Sequence, residues 1–322
     1  MAEVTDAVVA IDGGGSKTDA VALSSDGAVL RRASGAGSSP HFIGVEASVV
    51  QIDALVREVA GGMRVAQANI YLSGLDFPTE IDTFTRAITP LAWANETTAI
   101  ENDLYALLRA GTSARNAVAV VCGSGINALG ARADGATARF PALGMISGDW
   151  GGGTGIGELA LWHAARHVDR RGAVTSLTAD IPAVYDLATI DEVIQALHLR
   201  ELEYGDLGRL SPLVFAHADA GDQVAGELVD RQGEEIALMA ASAIERLELG
   251  MREVPVVLGG GVLASRHPRL MARIRAVLDT RVPLARIVHV AVPPIVGAAL
   301  LALESAGADA DALKRASEEL SR

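Results

Sequence analysis

Cysteine is almost absent from this chain of 322 residues, in which Cys122 stands alone. A single cysteine excludes an internal disulfide framework, a zinc site built from cysteines, and an iron–sulfur cluster shared by paired cysteines of one chain. Cys122 ends the apolar run 117–122, so we expect it to be a small, buried side chain. The sequence therefore predicts a protein of a reducing compartment, the cytoplasm.

Basic residues are also few: the chain has 27 Lys and Arg against 40 Asp and Glu, which gives a formal net charge of −13. Binding to a nucleic-acid backbone needs clustered Lys and Arg, so we expect no nucleic-acid partner. A nucleotide remains compatible with this charge, because a glycine turn and a metal ion can bind its phosphates without a basic surface. Aromatic residues make up 4% of the chain, whereas Ala, Val and Gly are abundant, which favours closely packed α/β layers.

Uninterrupted apolar runs of membrane-spanning length are missing as well. The longest apolar stretch, 287–303, includes His289, Pro293 and Pro294, so it predicts a strand, a turn and a helix rather than a membrane span. The stretch 1–12 has no basic segment before its apolar residues, and we expect no signal peptide. The sequence thus predicts a protein without a membrane partner.

The chain does contain a repeated unit. Residues 7–30 and 117–140 each have an apolar strand, a glycine turn, a second strand-like stretch, an Asp-Gly hairpin signal and a third strand. Glycine lets several backbone N–H groups approach one anion at such a turn. Two similar units so far apart favour a duplicated fold that holds a polyphosphate between its halves.

Strand and helix patterns alternate after each unit, which predicts an α/β protein with a mixed sheet in each half. Residues 156–250 are almost entirely helical in pattern. Gly111, Thr112 and Ser113 suggest a boundary between the halves.

The first glycine turn, residues 12–18, follows the first strand of the chain. Asp12 can hold Mg²⁺ directly or through water, and the N–H groups, hydroxyls and ammonium of the turn can bind phosphate oxygens. The predicted ATP-binding residues of this turn are Gly13, Gly14, Gly15, Ser16, Lys17 and Thr18. A Walker A loop needs Gly directly before Lys and leads into a helix, whereas here a strand-like pattern follows. A glycine-rich β-turn without a ligand is the alternative.

The second glycine turn, residues 123–125, predicts further ATP contacts from Gly123, Ser124 and Gly125. Residues 123–128 alone also fit the dinucleotide fingerprint, but the Asp-Gly pair at 134–135 favours a hairpin over the helix that this fingerprint requires. A third glycine turn follows an apolar strand at residues 259–261. Its place after the second turn predicts adenosine contacts from Gly259, Gly260 and Gly261.

Carboxylates outside the glycine turns are candidates for catalysis and for binding a sugar. Asp103 lies where a strand ends and a helix begins, so it can be a general base for a hydroxyl that attacks a γ-phosphate, or only a helix N-cap. Glu101 and Asn102 beside it are weaker candidates for contacts with a sugar. Asp149 can accept hydrogen bonds from sugar hydroxyls, and Trp150 can stack on a sugar face or pack in the core.

Six motifs together give the chain a resemblance to a known family. They are I-D-G-G-G-S-K-T-D at 11–19, E-N-D at 101–103, G-S-G-I-N at 123–127, G-D at 148–149, L-G-G-G-V at 258–262 and P-P-I-V-G-A-A at 293–299. In this order they resemble the BadF/BadG/BcrA/BcrD ATPase family, which includes N-acetylglucosamine kinases and bacterial glucosamine kinases. The resemblance spans nearly the whole chain. It implies the two-lobed actin-like ATPase fold that sugar kinases share with Hsp70 and actin (an RNase H-like fold), with ATP and sugar in the cleft.

The resemblance also implies residue roles and lobe limits. Asp103 matches the family's catalytic base and Asp149 a sugar-binding carboxylate, while the three glycine turns match phosphate and adenosine contacts. The N-terminal lobe would comprise residues 1–111, which the C-terminal helix 305–322 could join. The C-terminal lobe would comprise residues 112–304, with a helical insertion at 156–250.

Two departures from the family pattern concern the substrate. Amino-sugar kinases usually carry Asn before the position of Pro40, where this chain has Ser38 and Ser39, and they usually have G-D-E-G-S where residues 148–152 are G-D-W-G-G. Both stretches are expected to face the sugar. Ser38, Ser39, Asp149 and Trp150 are therefore predicted substrate contacts, and their departure from the pattern fits a shifted specificity.

The expected function is an ATP- and Mg²⁺-dependent kinase that transfers the γ-phosphate to the 6-hydroxyl of glucosamine. An acidic chain with Glu101 near Asp103 favours an ammonium group, and N-acetylglucosamine is the alternative acceptor. An ATPase that activates a redox partner and a non-catalytic sugar or nucleotide sensor are remoter alternatives; the first of these uses paired cysteines, which this chain lacks. The expected partners are the sugar and ATP, and a homodimer is compatible with the sequence.

Overall fold

The computed structural model describes residues 6–322. Residues 1–5, part of the stretch 1–12 in which we expect no signal peptide, lie outside the described residues. Within residues 6–322, no helix is long and apolar enough to cross a membrane. The chain divides into two compact units: the first contains the residues up to Ala119 together with Val288–Arg322, and the second contains Val120–Ile287. The lobe limits at 111/112 and 304/305 stay predictions.

The first unit is built around a five-stranded mixed sheet. Its elements up to the second unit are β1 (Asp6–Gly13), β2 (Lys17–Leu23), β3 (Val29–Ala36), α1 (Pro40–Ile43), α2 (Val45–Ala60), β4 (Arg64–Leu72), α3 (Pro78–Ile88), β5 (Ala99–Asn102) and α4 (Leu104–Gly111). The strand order is β3-β2-β1-β4-β5. The pairs β1/β2 and β2/β3 are antiparallel, whereas β1/β4 and β4/β5 are parallel.

A second five-stranded sheet and most of the helices follow. Their elements are β6 (Ala117–Cys122), β7 (Ile126–Ala131), β8 (Thr137–Arg139), α5 (Gly152–Val168), α6 (Leu177–Asp180), α7 (Ile190–His198), α8 (Ser211–Asp219), α9 (Gln223–Arg246), β9 (Val254–Gly259), α10 (Gly261–Ala264), α11 (Pro268–Arg281) and β10 (Ala285–His289). Short 3₁₀ turns occur at Gly144–Ser147, Pro182–Tyr185 and Tyr204–Leu210. The strand order of this sheet is β10-β9-β6-β7-β8.

The two sheets have the same strand order when the strands of each are counted along the chain: third, second, first, fourth, fifth. The first and second glycine turns both join the first strand of a sheet to its second strand. The duplicated α/β organisation predicted from the two sequence units is thus confirmed. Because β2 and β7 follow the turns, neither turn leads into a helix, which excludes a Walker A loop and a dinucleotide fingerprint.

The chain returns to the first unit with α12 (Pro294–Ser305) and α13 (Ala310–Leu320). Val9 and Ile11 of β1 pack in one core with α2, whereas Val8 and Ala10 pack in a second core with α12 and α13. Successive side chains of a strand point to opposite faces, so an almost continuous apolar run fits a strand that is covered on both sides.

The last helix, α13, is held against the hairpin of β2 and β3. Asp309 caps α13 by accepting from the Ala312 N–H at 2.9 Å. Glu319 accepts from the Val29 N–H at 2.9 Å, and the side chain of Leu320 is 6% exposed in the core beside β1 and β2. The C-terminal segment is therefore an integral layer of the first unit.

Candidate functional site

The first glycine turn makes a tight bend between β1 and β2. The Ser38 N–H donates to the Gly14 carbonyl at 3.1 Å. A Cβ at Gly13 would collide with the Ser38 hydroxyl, so close packing requires glycine there. Gly15 and Ser16 are exposed, and their N–H groups have no acceptor among residues 6–322. The tip of the turn can therefore offer these N–H groups to an anion.

Three predicted site residues use their hydroxyls inside the protein. Thr18 is fully buried, and its hydroxyl donates to the Ala36 carbonyl at 2.8 Å or to the Ser38 hydroxyl at 2.7 Å. Ser39 is 1% exposed, and its hydroxyl donates to the Ser73 carbonyl at 2.9 Å. Thr18, Ser38 and Ser39 thus support the turn in this structure, and their contacts with phosphate or sugar stay predictions.

Asp12 lies near the end of β1, opposite Asp19 of β2. Burial, followed by the nearby Asp103 and Asp19 carboxylates, raises the pKa of Asp12 to about 8. The Lys17 ammonium opposes this shift, but it is exposed and forms an ion pair with Asp19 at 2.6 Å. The Asp12 carboxyl is therefore in an acidic environment that a bound cation would stabilise.

Asp103 lies between β5 and α4 at the N-cap position of the helix, but its side chain makes no capping hydrogen bond, so its carboxyl group is not used as a cap. Its N–H donates to the carbonyl of Leu72, the last residue of β4, at 3.3 Å. Burial, followed by the carboxylate of Asp76, raises the pKa of Asp103 to about 7. A carboxyl group with this pKa is close to half-deprotonated at neutral pH, which suits a general base.

Asp76 is a residue of the candidate site that sequence reasoning missed. Asn102 is 2% exposed and donates from Nδ2 to the Asp76 Oδ1 at 3.0 Å, while its Oδ1 accepts from the Leu104 N–H at 3.0 Å. Asn102 therefore holds the turn after β4 beside Asp103, and its predicted contact with a sugar stays a prediction. A signal did exist in the sequence: Asp76 and Asp103 each closely follow an apolar strand pattern, and the carboxyl ends of parallel neighbours meet at one edge of a sheet.

Glu101 lies within β5, in register with Tyr71 of β4, which in turn lies opposite Asp12 of β1. Neighbouring strands are about 4.8 Å apart, so this row places Glu101 two strands from Asp12. Tyr71 is buried, and its hydroxyl oxygen accepts from the Asn69 Nδ2 at 2.9 Å. Burial raises the pKa of Tyr71, and the Glu101 carboxylate adds to this effect. Glu101 thus belongs to a largely buried polar row, and its role toward a sugar stays a prediction.

The second glycine turn joins β6 to β7 and is anchored by the first turn of α5. The Gly153 N–H donates to the Gly123 carbonyl at 2.7 Å, and the Thr154 N–H donates to the Ser124 carbonyl at 3.0 Å. A Cβ at Gly123 or Gly125 would meet no atom within 4 Å. The turn is therefore fixed through its carbonyls, and it leaves open space where a ligand can approach its backbone.

The N-terminus of α5 lies at Gly152, four residues before the helix that the sequence predicts from 156. The predicted start at 156 was wrong by these four residues, because glycine is a poor helix former and hides the start of the helix. The Gly152 N–H donates to the Gln232 Oε1 of α9 at 2.8 Å. Acceptors outside the helix thus satisfy its first N–H groups and stabilise this N-terminus.

Asp149 and Trp150 precede this helix and are 7% and 6% exposed. The Asp149 Oδ2 accepts from the Gly144 N–H at 2.8 Å, and the Ser147 hydroxyl donates to its Oδ1. The Arg231 guanidinium lies over the Trp150 ring, with its Cζ 4.2 Å from the ring centroid. A cation therefore occupies one face of the indole, and burial in the core accounts for the position of Trp150.

The third glycine turn lies beside the second. Gly259 ends β9, and Gly261 begins α10, which has 4 residues. A Cβ at Gly260 would collide with the backbone of Cys122, the residue before the second glycine turn, whereas a Cβ at Gly261 would meet no atom within 4 Å. Cys122 is fully buried, as predicted, and burial raises the pKa of its thiol to about 12.

These residues fit the phosphates of ATP and a Mg²⁺ ion. Glycine backbone borders open space at the second and third turns, where a Cβ at Gly123, Gly125 or Gly261 would meet no atom within 4 Å. Within the described residues 6–322, no group of three or more His, Cys, Asp and Glu side chains could hold a metal. Mg²⁺ uses one or two carboxylates and keeps water and phosphate as its other ligands, and the Asp12 carboxyl in its acidic environment fits such a site. Asp12 is the carboxylate that would hold it.

Two relatives are similar to the chain over nearly its whole length. The chain is 28% identical over 312 residues to the N-acetyl-D-glucosamine kinase of Dictyostelium discoideum, which covers 92% of this chain and 98% of that protein. It is 25% identical over 300 residues to the N-acetylmuramic acid/N-acetylglucosamine kinase of Clostridium acetobutylicum, with 92% and 97% covered.

The fold is similar to that of a solved structure from Chromobacterium violaceum, a protein assigned as an N-acetylglucosamine kinase. The TM-score is 0.72 at 21% sequence identity, and the match covers 93% of this chain and 100% of the other. The actin-like fold of the sugar kinases, with duplicated mixed sheets, is thus confirmed. The sequence profile of one family matches residues 9–302, and the chain belongs to this BadF/BadG/BcrA/BcrD ATPase family.

Proposed function

We propose that the chain is an ATP- and Mg²⁺-dependent kinase that phosphorylates the 6-hydroxyl of an amino sugar. The observation that carries this proposal is the position of Asp103, close enough to Asp12 for its carboxylate to raise the pKa of Asp12. Burial also raises the pKa of Asp103 itself to about 7. The two relatives named as N-acetylglucosamine kinases support the reaction class.

In the proposed reaction, O6 of the sugar attacks the γ-phosphorus of ATP. A P–O6 bond forms, the bond to the bridging β-phosphate oxygen breaks, and ADP leaves. The Asp103 carboxylate accepts the proton of the 6-hydroxyl. N–H groups of the first and second glycine turns bind phosphate oxygens and stabilise the developing charge, and the third turn contacts the adenosine. Bound Mg²⁺, held by Asp12 directly or through water, would neutralise part of the phosphate charge.

Two acceptor sugars are candidates. N-acetylglucosamine is the first, because both relatives carry it in their names. Glucosamine is the second, and it is favoured by the Asp76 carboxylate beside Asp103, since a carboxylate can pair with an ammonium group. Asp149 is proposed to accept hydrogen bonds from hydroxyls that both sugars share.

The test is ADP formation from ATP and Mg²⁺ with glucosamine, N-acetylglucosamine, glucose, mannose or no sugar. We expect ADP only with an amino sugar. Asp103→Asn should lower the rate about 10²–10⁴-fold, the usual contribution of a general base. Asp82→Asn, on the exposed side of α3, is the matched control and should leave the rate unchanged.

Each other result assigns the chain differently. Equal ADP formation without sugar would favour an ATPase, and no ADP with any of the sugars would contradict the proposed acceptors and favour a non-catalytic sensor. Equal turnover of glucose would contradict the amino-sugar specificity. Full activity of Asp103→Asn would remove the general base from the mechanism.

A further inference from the structure

Gln232 is a fully buried polar side chain in the middle of α9. Its neighbours on the buried face of α9 include Val229, Gly233 and Ile236. A buried amide costs free energy unless it is hydrogen-bonded, so each one needs an explanation. The Gln232 Oε1 accepts from the Gly152 N–H at 2.8 Å, whereas its Nε2 has no partner among the described residues. The hydrogen bond to Gly152 is thus the contact that this side chain is placed to make.

The backbone that Gln232 contacts is confined from two sides. Gly151 has a φ of 139°, and a Cβ there would stand 2.6 Å from the Gln232 Nε2. Gly152 has a φ of 75°, and a Cβ there would stand 2.5 Å from the Cα of Gly125. Any residue other than glycine is therefore excluded at both positions. Gly151 and Gly152 fill the space between α9 and the second glycine turn.

The same stretch connects two predicted parts of the candidate site. Asp149 lies just before Gly151 in the chain, held by the Gly144 N–H at 2.8 Å. Immediately after Gly152, the N–H groups of Gly153 and Thr154 donate to carbonyls of the second glycine turn at 2.7 Å and 3.0 Å. A shift of Gly152 would therefore move Asp149 on one side and the second glycine turn on the other.

We propose that Gln232 is a positioning residue, which holds Gly152 so that the acceptor-binding carboxylate Asp149 and the second glycine turn keep a fixed relative position. The proposal rests on the proposed function, in which these two elements bind the sugar and the phosphates. Gln232 itself touches neither substrate, since it is fully buried. Loss of the hydrogen bond between Gln232 and Gly152 should therefore weaken the binding of the sugar and the binding of ATP together.

The test compares three variants. Gln232→Met keeps the size of the side chain but removes the acceptor oxygen. Gln232→Glu keeps an acceptor at the same reach, and full burial favours the uncharged carboxylic acid. Gln223→Met is the matched control: Gln223 is an exposed glutamine of the same helix, which donates to the Glu227 Oε1 at 2.9 Å. A fourth variant, Gly151→Ala, perturbs the same contact from the opposite side and replaces Gln232→Met if that variant does not fold.

The first readout is hydrogen exchange of the Gly152, Gly153 and Thr154 amides in the ligand-free protein. We expect all three to exchange about five- to tenfold faster in Gln232→Met, as for the loss of one internal hydrogen bond. The Gln232→Glu and Gln223→Met variants should resemble the wild type. Faster exchange of Gly152 alone would overturn the proposal, and this readout holds even if the chain proves not to be a kinase.

The second readout is the division between KM and kcat in the ADP assay. The KM for the sugar and the KM for ATP should both rise about five- to tenfold in Gln232→Met, with kcat changed much less. Gln232→Glu should restore both values. A lower kcat with both KM values unchanged would show a smaller active fraction, which is the signature of a purely structural residue, and would overturn the proposal.

Discussion

Gly152 lies against Gly125, and a Cβ on Gly152 would stand 2.5 Å from the Gly125 Cα. Gly152 also has a φ of 75°, in the left-handed region that favours glycine. The beginning of α5 and the second glycine turn therefore meet through backbone atoms alone. Any side chain at position 152 would have to separate them.

Gly152→Ala should accordingly cost more than backbone strain. We expect about 2–5 kcal/mol of destabilisation from the left-handed φ and the collision together, with loss of ADP formation. Gly135→Ala is the control, because Gly135 has a φ of 92° but no atom within 4 Å of a Cβ, so only the strain of about 1–2 kcal/mol applies. Urea unfolding of both variants measures the difference, and equal losses would contradict the close approach.

Asp76→Asn should change the pH dependence of the proposed reaction. The Asp76 carboxylate contributes to the raised pKa of Asp103, and asparagine removes its charge while it can still accept from Asn102. The rising limb of kcat/KM near pH 7 should therefore move about 0.5–1 pH unit lower. Asp82→Asn should leave the profile in place. A limb that moves to higher pH would exclude Asp76 as the cause of the shift.

Asp12→Asn should stabilise the ligand-free protein in a pH-dependent way. The pKa of Asp12 is about 8 in the folded state, above its ordinary value near 4, so the folded chain binds a proton that the unfolded chain releases. Stability is therefore lost as pH rises from about 4 through about 8, and the neutral variant avoids this loss.

Thermal unfolding in EDTA at pH 5 and pH 8.5 checks this expectation. The variant should exceed the wild type by at least about 1.4 kcal/mol more at pH 8.5 than at pH 5, the equivalent of one pKa unit. A difference that shrinks as pH rises would show that Asp12 is not a protonated, buried carboxyl.

The contacts of α13 should contribute very unequally to stability. Leu320 is 6% exposed, so Leu320→Ala should cost about 2–4 kcal/mol. Arg315 pairs with Asp26 at 2.6 Å, but both side chains are largely exposed, so Arg315→Ala should cost less than about 1 kcal/mol. Denaturant midpoints rank the two, and a larger loss for Arg315→Ala would show that charge rather than burial holds the helix.

The strands and the first two glycine turns could be predicted because their signals are local. An almost continuous apolar run marks β1, and the glycine of each Asp-Gly pair, Gly27 and Gly135, has the positive φ that a hairpin turn requires. Repetition of this local pattern made the duplication visible before any contact between distant residues was considered.

The remaining parts of the site depend on contacts between residues far apart in sequence. Asp76 is held by Asn102 and Gly152 by Gln232, and no short pattern links the members of either pair. The start of α5 was hidden for the same reason, since acceptors from other elements outweigh the poor helix propensity of glycine. The buried hydroxyls of Ser38 and Ser39 likewise follow from packing rather than from residue type.

The split arrangement of the first unit has a consequence for synthesis on the ribosome. Val8 and Ala10 of β1 pack with Leu303 and Leu320, which are made only after the whole second unit. The second unit, Val120–Ile287, is continuous and can form while the first still lacks α12 and α13. One apolar face of β1 and β2 therefore stays uncovered until α12 and α13 have been made, and such exposed apolar surface is prone to aggregation.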